Sequence, residues 1–153
     1  MRLKMGTQQI ILLVLGVILI GVSVASGIFM FQEQAINSSR QACLEEMNRL
    51  SSAAKAWWIT PQSMGGGGRM EYLSGGGGEW SNYIDQLGRY LGHNYNPQSN
   101  SLETLNASYK IEYGGKYSVK FVATGKEYKN GEPIKMDFIY NMDADTLSVT
   151  IIN

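Results

Sequence analysis

IILLVLGVILIGVSVASGIFMF, residues 10–31, carries no charge, and the chain then runs to Ile59 without a Pro or a Gly. The first 22 residues of this stretch match the roughly 20 that a helix needs to cross a bilayer core. The helical pattern does not stop there. Cys43, Met47, Leu50, Ala54 and Trp57 recur at spacings of four, three, four and three, which is one face of a helix. Ile36 extends that stripe upstream, while Glu45, Glu46, Arg49 and Lys55 lie off it. Thr60-Pro61 ends the run, because the residue before a proline avoids helical geometry. One helix over residues 7–59 is therefore expected, on the order of 80 Å long at 1.5 Å per residue. Its first half is apolar all round, and its second half has a stripe to bury.

Arg2 and Lys4 precede the apolar run and Glu33 follows it. The positive-inside rule then places the N-terminus in the cytoplasm and everything after Gln32 outside. A cleaved secretory signal would use the small residues at Ser23-Val24-Ala25, but the apolar run continues past them through Phe31. A retained helix fits better.

Working outward, residues 107–152 supply the helix with a partner. Tyr109, Ile111 and Tyr113 alternate with polar residues, as do Val119 and Phe121. Ile134, Met136, Phe138, Tyr140 and Met142 share one face of a third strand, and Leu147, Val149 and Ile151 share one face of a fourth. Gly114-Gly115 reads as a two-residue hairpin turn, residues 125–133 as a longer turn and residues 141–145 as a third. The expected fold is α+β: a long N-terminal helix packed on a four-stranded antiparallel meander with one apolar face.

Residues 60–106 connect the two. Four-glycine tracts at 65–68 and 75–78 mark a loop. Either they are a tight surface connection with close backbone approach, or their amides cradle an anion. No Lys-Ser or Lys-Thr follows them, which rules out a P-loop. A short amphipathic helix is expected near 81–91, with Ser81 as N-cap, Tyr83, Ile84, Leu87 and Leu91 on its apolar face, and Gly92 as its stop. Gly88 in its middle weakens it. Residues 93–101 are polar and turn-forming.

Composition excludes several function classes. Acidic and basic residues balance at 13 each, so no excess positive charge is available for nucleic acid. Cys43 is the single cysteine, which precludes an internal disulfide. On the helix stripe it reads as a buried thiol, with an intersubunit disulfide as the sharper alternative. His93 is the single histidine and lies in a polar turn, so no nucleophile–base pair or metal cluster is evident and no enzyme or cofactor is expected. Asn141-x-Asp143-x-Asp145 opens like a calcium loop, but Thr146 and Ile152 occupy the positions that need Gly and Glu. An Asx-rich turn is the simpler reading. Trp57, Trp58, Trp80 and the tyrosines fill a small core or form a partner surface. Trp58 cannot face the same way as Trp57, so it is expected against the glycine loop or a neighbouring subunit. Asn37-Ser38-Ser39 and Asn106-Ala107-Ser108 match the N-glycosylation pattern.

Lys4-Met5-Gly6, followed by Thr7-Gln8-Gln9 and the apolar run, resembles the start of a type IV pilin or pseudopilin. The long helix, irregular loop and terminal meander resemble the rest of one. The resemblance implies that a prepilin peptidase cuts after Gly6, removing residues 1–6 and leaving Thr7 as the mature N-terminus. It implies a subunit stored in the cytoplasmic membrane and assembled by dedicated machinery into a homopolymeric extracellular filament. Ile11, Leu15, Ile18, Val22, Ile28 and Phe29 would then lie in the filament core, while Cys43, Met47, Leu50, Ala54 and Trp57 pack on the sheet. Adhesion, motility or secretion would belong to the filament. The chain departs from the family at Ile11, where a Glu is usual, and in lacking a C-terminal disulfide loop. The alternative is a single-pass, membrane-anchored extracytoplasmic binding domain that does not polymerise.

Overall fold

A computed structural model describes residues 3–69, 79–92, 94–115, 117–129 and 131–152. His93, the second glycine tract, Asn130 and the side chains of Trp80 and Ser81 lie outside the described residues. The elements are α1 (Leu3–Ile59), a 3-10 turn (Gln62–Met64), α2 (Glu79–Leu91), β1 (Tyr95–Asn96), β2 (Ser101–Glu103), β3 (Ala107–Gly115), β4 (Ser118–Lys129), β5 (Glu132–Asn141) and β6 (Thr146–Ile151). The fold is a long hydrophobic N-terminal helix packed on an open antiparallel sheet. The chain divides into two units between Asn37 and Ser38. The first contains α1 up to Asn37 and the second everything from Ser38 on.

In the second unit the sheet has six strands in sequential order, β1-β2-β3-β4-β5-β6, all antiparallel. The four expected strands are its last four. The two extra ones come from the polar stretch after α2. They are two and three residues long, too short to show a period of two. Leu102 of β2 is their one fully buried apolar residue. Tyr95 of β1 is fixed by its hydroxyl, 3.0 Å from Asn100 Oδ1.

Alternation places Ala107, Tyr109 and Ile111 of β3, Val119, Phe121 and Ala123 of β4, and Ile134, Met136, Phe138 and Tyr140 of β5 in the core. The α1 stripe from Cys43 to Trp57 shares that core cluster. Three readings from the sequence need correction. Gly114-Gly115 is not the hairpin turn. Gly115 pairs with Ser118, so both glycines belong to β3 rather than to the turn, and a register shift marks a bulge between Tyr113 and Gly115. A Cβ on Gly114 would lie 2.9 Å from backbone atoms of β4, so glycine serves a close approach there. A bulge bends its strand, and Tyr113 is exposed rather than inward. Second, most of the turn expected over 125–133 is strand, because β4 runs on to Lys129 and β5 starts at Glu132. Lys129 pairs with Glu132, and Gly131 takes the positive φ of 84° that a two-residue loop requires.

The third correction concerns β6. Leu147, Val149 and Ile151 pair with Tyr140, Phe138 and Met136, so they share the core face. Yet Leu147 is half-buried, and Val149 and Ile151 are 41% and 54% exposed. A helix about 10 Å across covers two or three strands spaced about 4.8 Å apart. The edge strand is left uncovered.

In α2, Ile84 and Leu87 are buried, and Tyr83 and Leu91 pack partly against the core. The helix begins at Glu79, so Ser81 sits inside its first turn rather than capping it. Gly88 is explained by packing: a Cβ there would fall 2.2 Å from the Tyr95 ring.

Candidate functional site

In the first unit, α1 offers an apolar surface with nothing on it. Ile11, Leu15, Ile18, Val22, Ile28 and Phe29 are each more than half exposed, and so are Leu12, Leu13, Leu19 and Ile20. Gly6 and Thr7 lie in the same helix, also exposed. Exposed apolar patches on monomers seldom exceed a few hundred Å². A helix bare of charge over residues 10–31 therefore needs an apolar surrounding. Helical geometry satisfies its backbone groups internally, as lipid demands. The Ser23 hydroxyl donates to the Leu19 carbonyl at 2.8 Å, so this polar group also needs no water. Among the described residues, this is the one helix long and apolar enough to cross a membrane.

In the second unit, Cys43, Met47, Leu50, Ala54 and Trp57 are all at most 3% exposed. The Cys43 thiol is sealed in the core, and burial pushes its pKa up, which makes it an inert hydrophobe. A disulfide to a neighbour would require opening that core.

The stripe does not account for Glu46. Its carboxylate takes Thr104 Oγ1 at 2.7 Å, Asn106 Nδ2 at 2.8 Å and the Tyr109 hydroxyl at 3.0 Å. The same hydroxyl is 3.2 Å from the Cys43 carbonyl. Lys126 Nζ donates to the Thr104 and Leu105 carbonyls at 3.2 and 2.7 Å. Together these bonds pin the β2–β3 turn to α1 and to β4. Partners some 60 residues away leave no periodic signal, so a carboxylate off the stripe reads as a solvated one. Asn106, one of the two glycosylation-type asparagines, has its amide nitrogen committed to Glu46.

Burial raises the Tyr109 pKa far above its ordinary value of 10, and the Glu46 charge adds to the shift. Below pH 10 both folded and unfolded chains hold this proton. Above pH 10 the unfolded chain releases it while the folded chain keeps it, so stability falls as pH rises. The expected slope from this residue is about 1.4 kcal/mol per pH unit. Denaturant melts of the full chain in detergent between pH 9 and 11.5 check it. Tyr109→Phe should show a shallower decline, and an equal slope would remove Tyr109 as the cause.

The first glycine tract turns out to be the end-piece of α1. Gly67 N–H donates to the Trp57 carbonyl, Gly68 N–H to Thr60 and Arg69 N–H to Trp58, each at 2.8 Å. A helix leaves its last carbonyls without partners, and these three amides take them or their neighbour. Gly65 and Gly68 hold positive φ angles of 81° and 64°. Gly66 and Gly67 are buried, and a Cβ would meet Thr60 O at 2.2 Å and the Trp57 ring at 2.9 Å respectively. The amides point into the helix end, which answers the anion-cradle alternative for this tract. The Trp57 ring lies against Gly67. Trp58 packs beside Tyr117, with ring centroids 6.5 Å apart, and under Lys55 Nζ at 5.3 Å. Lys55 Nζ also donates to the Met142 carbonyl.

At the β5–β6 turn, Asn141 Oδ1 accepts from the Asp143 and Ala144 amides, both at 3.0 Å, which is an Asx turn. Asp145 accepts the Tyr140 hydroxyl. Among the described residues no group of three or more His, Cys, Asp or Glu could hold a metal ion.

Comparison of the chain with protein-family models, with curated proteins and with solved structures finds no match.

Proposed function

We propose that the chain is a structural subunit that polymerises through residues 10–31 into a type IV pilus-like extracellular filament. One observation carries this reading. A charge-free apolar surface, exposed on every side, occupies the first unit of the same helix that is packed on a sheet in the second. Such a surface is stable in a bilayer and equally stable against other copies of itself. Before assembly the cytoplasmic membrane holds the subunit, with the sheet unit outside. Its partners are copies of itself, a prepilin peptidase acting at Gly6-Thr7, and an assembly machine. It carries out no catalysis.

The test is the mature terminus. Protein recovered from sheared surface filaments should begin at Thr7 on N-terminal sequencing. Intact Met1 in a monomeric membrane protein, with no filaments under the electron microscope, would sink the proposal.

One feature favours the second reading, an anchored binding domain that does not polymerise. A shallow cleft of about 590 Å³ is bordered by Gln62, Tyr83, Gln86, Arg89 and Tyr90. Its aromatic and planar polar side chains suit a polar ligand.

A further inference from the structure

The last strand of the sheet departs from the usual protections of an edge. Exposed edges commonly carry a Lys or a Pro, or a bulge that bends them away. β6 reads TLSVTI, with no charge and no proline, and its pairing with β5 runs without a register shift from Thr146 to Ile151. Its core-side residues Val149 and Ile151, with Ile152 just beyond, are 41%, 54% and 55% exposed. Phe138 and Met136, the β5 partners of Val149 and Ile151, are fully buried. The hydrophobic core thus surfaces along one side of the sheet unit.

We infer that this strip is the seat of the apolar α1 segment of a second copy, near Ile28, Phe29, Met30 and Phe31. The inference rests on the filament reading and names the surface that receives a neighbour's helix. The occupant follows from three observations. On the same sheet face, α1 of the chain itself lies beside β6's neighbours with an apolar stripe, so a further helix continues an interface already built. Both surfaces are free of charge, from residue 10 to 31 on the helix and from 146 to 152 on the strand, so neither brings an ion to desolvate. The lengths also agree. Leu147 to Ile151 spans about 13 Å of strand, equal to about nine helical residues, which 23–31 at the end of the charge-free run supply. Residues 28–31 are the part of the run closest in sequence to the sheet unit, and all four are more than half exposed.

Cross-linking between copies tests the assignment. Full-length chains carrying Val149→Cys are co-expressed with chains carrying a cysteine at 28, 29, 30 or 31. Membranes and filaments are then oxidised and separated without reductant. Cys43 is buried and stays silent. At least one of the four pairs should give a mixed dimer several-fold above either chain alone. In addition, Val149→Lys should cut filament yield about tenfold with an unchanged melting temperature.

The outcomes are separable. If no mixed dimer forms while Leu15→Cys chains cross-link to one another, helix-core assembly stands and the β6 seat is overturned. If neither cross-link forms, the filament reading fails as well. Homodimers of Val149→Cys alone would mean that two β6 edges pair with each other, which also overturns the assignment. So would a nitroxide on Val149→Cys that is quenched by lipid-soluble oxygen in liposomes at one chain per vesicle and stays so in filaments, because lipid would then cover the strip.

Discussion

Cells that make the Ile18→Asp chain should display no filaments, and the protein they accumulate should still be folded. Ile18 is more than half exposed in the described chain and lies well inside the charge-free run. An Asp near the centre of a membrane helix costs about 2.5–3.5 kcal/mol. A run of 22 residues with no other charge tolerates that, so the chain still inserts. Assembly is less forgiving. Each subunit would carry an unpaired carboxylate into a packed apolar core, and the repulsion recurs at every position of the polymer. The core of the second unit contains none of these residues. Near-ultraviolet circular dichroism and melting temperature should therefore match the parent. Electron microscopy of sheared material provides the decisive readout. Abundant filaments from Ile18→Asp or Leu15→Asp would mean that residues 10–31 are not the assembly core.

The second large effect is on stability. Gly66→Ala should lower the stability of the sheet unit by about 3 kcal/mol, although it adds a single methyl group. That methyl would fall 2.2 Å from the Thr60 carbonyl oxygen and 2.3 Å from its Cβ. The obstacle is backbone at the end of a helix, so the loop has to move. Moving it loosens the amides of Gly67, Gly68 and Arg69 from α1, each bond being worth about 0.5–1.5 kcal/mol. For a unit of this size the melting temperature should drop roughly 10 °C. Gly65→Ala is the informative control. Open space surrounds it, and its cost is the φ of 81° alone, about 1–2 kcal/mol. Equal losses at the two positions would show that the close approach at Gly66 is relieved cheaply.

The helix and the last four strands are legible in the sequence because each repeats its period often enough to be counted. Five stripe positions at spacings of three and four identify one face of α1, and four alternating positions from Ile134 to Tyr140 identify β5, with Met142 just past its end. The short β1–β2 hairpin lacks that redundancy and lies in a stretch rich in Asn and Ser. Periodicity also assigns a face to a residue without saying whether anything lies over it. Val149 and Ile151 are on the core face as their alternation implies, but cover depends on how many strands one helix spans. Glycines are the other blind spot. Composition marks residues 65–68 as a loop, while their use as the last hydrogen-bond donors to α1 depends on contacts with Trp57 and Thr60. Glu46 is hidden for a related reason. Its partners, Thr104, Asn106 and Tyr109, come from a turn and a strand that only folding brings to the helix.

The way α1 is seated has a mechanical consequence. In the proposed filament, tension would enter the sheet unit at Ser38, at the head of the axis of its own α1 segment, residues 38–59. From Cys43 to Trp57 the stripe lies in the core over about 21 Å, at 1.5 Å per residue. A pull along that axis shears all five side chains past the sheet together, with the Glu46 bonds and the glycine cap resisting at intervals. The unit should yield at high force and abruptly, as a bolt drawn from a socket does, and not strand by strand from its open edge.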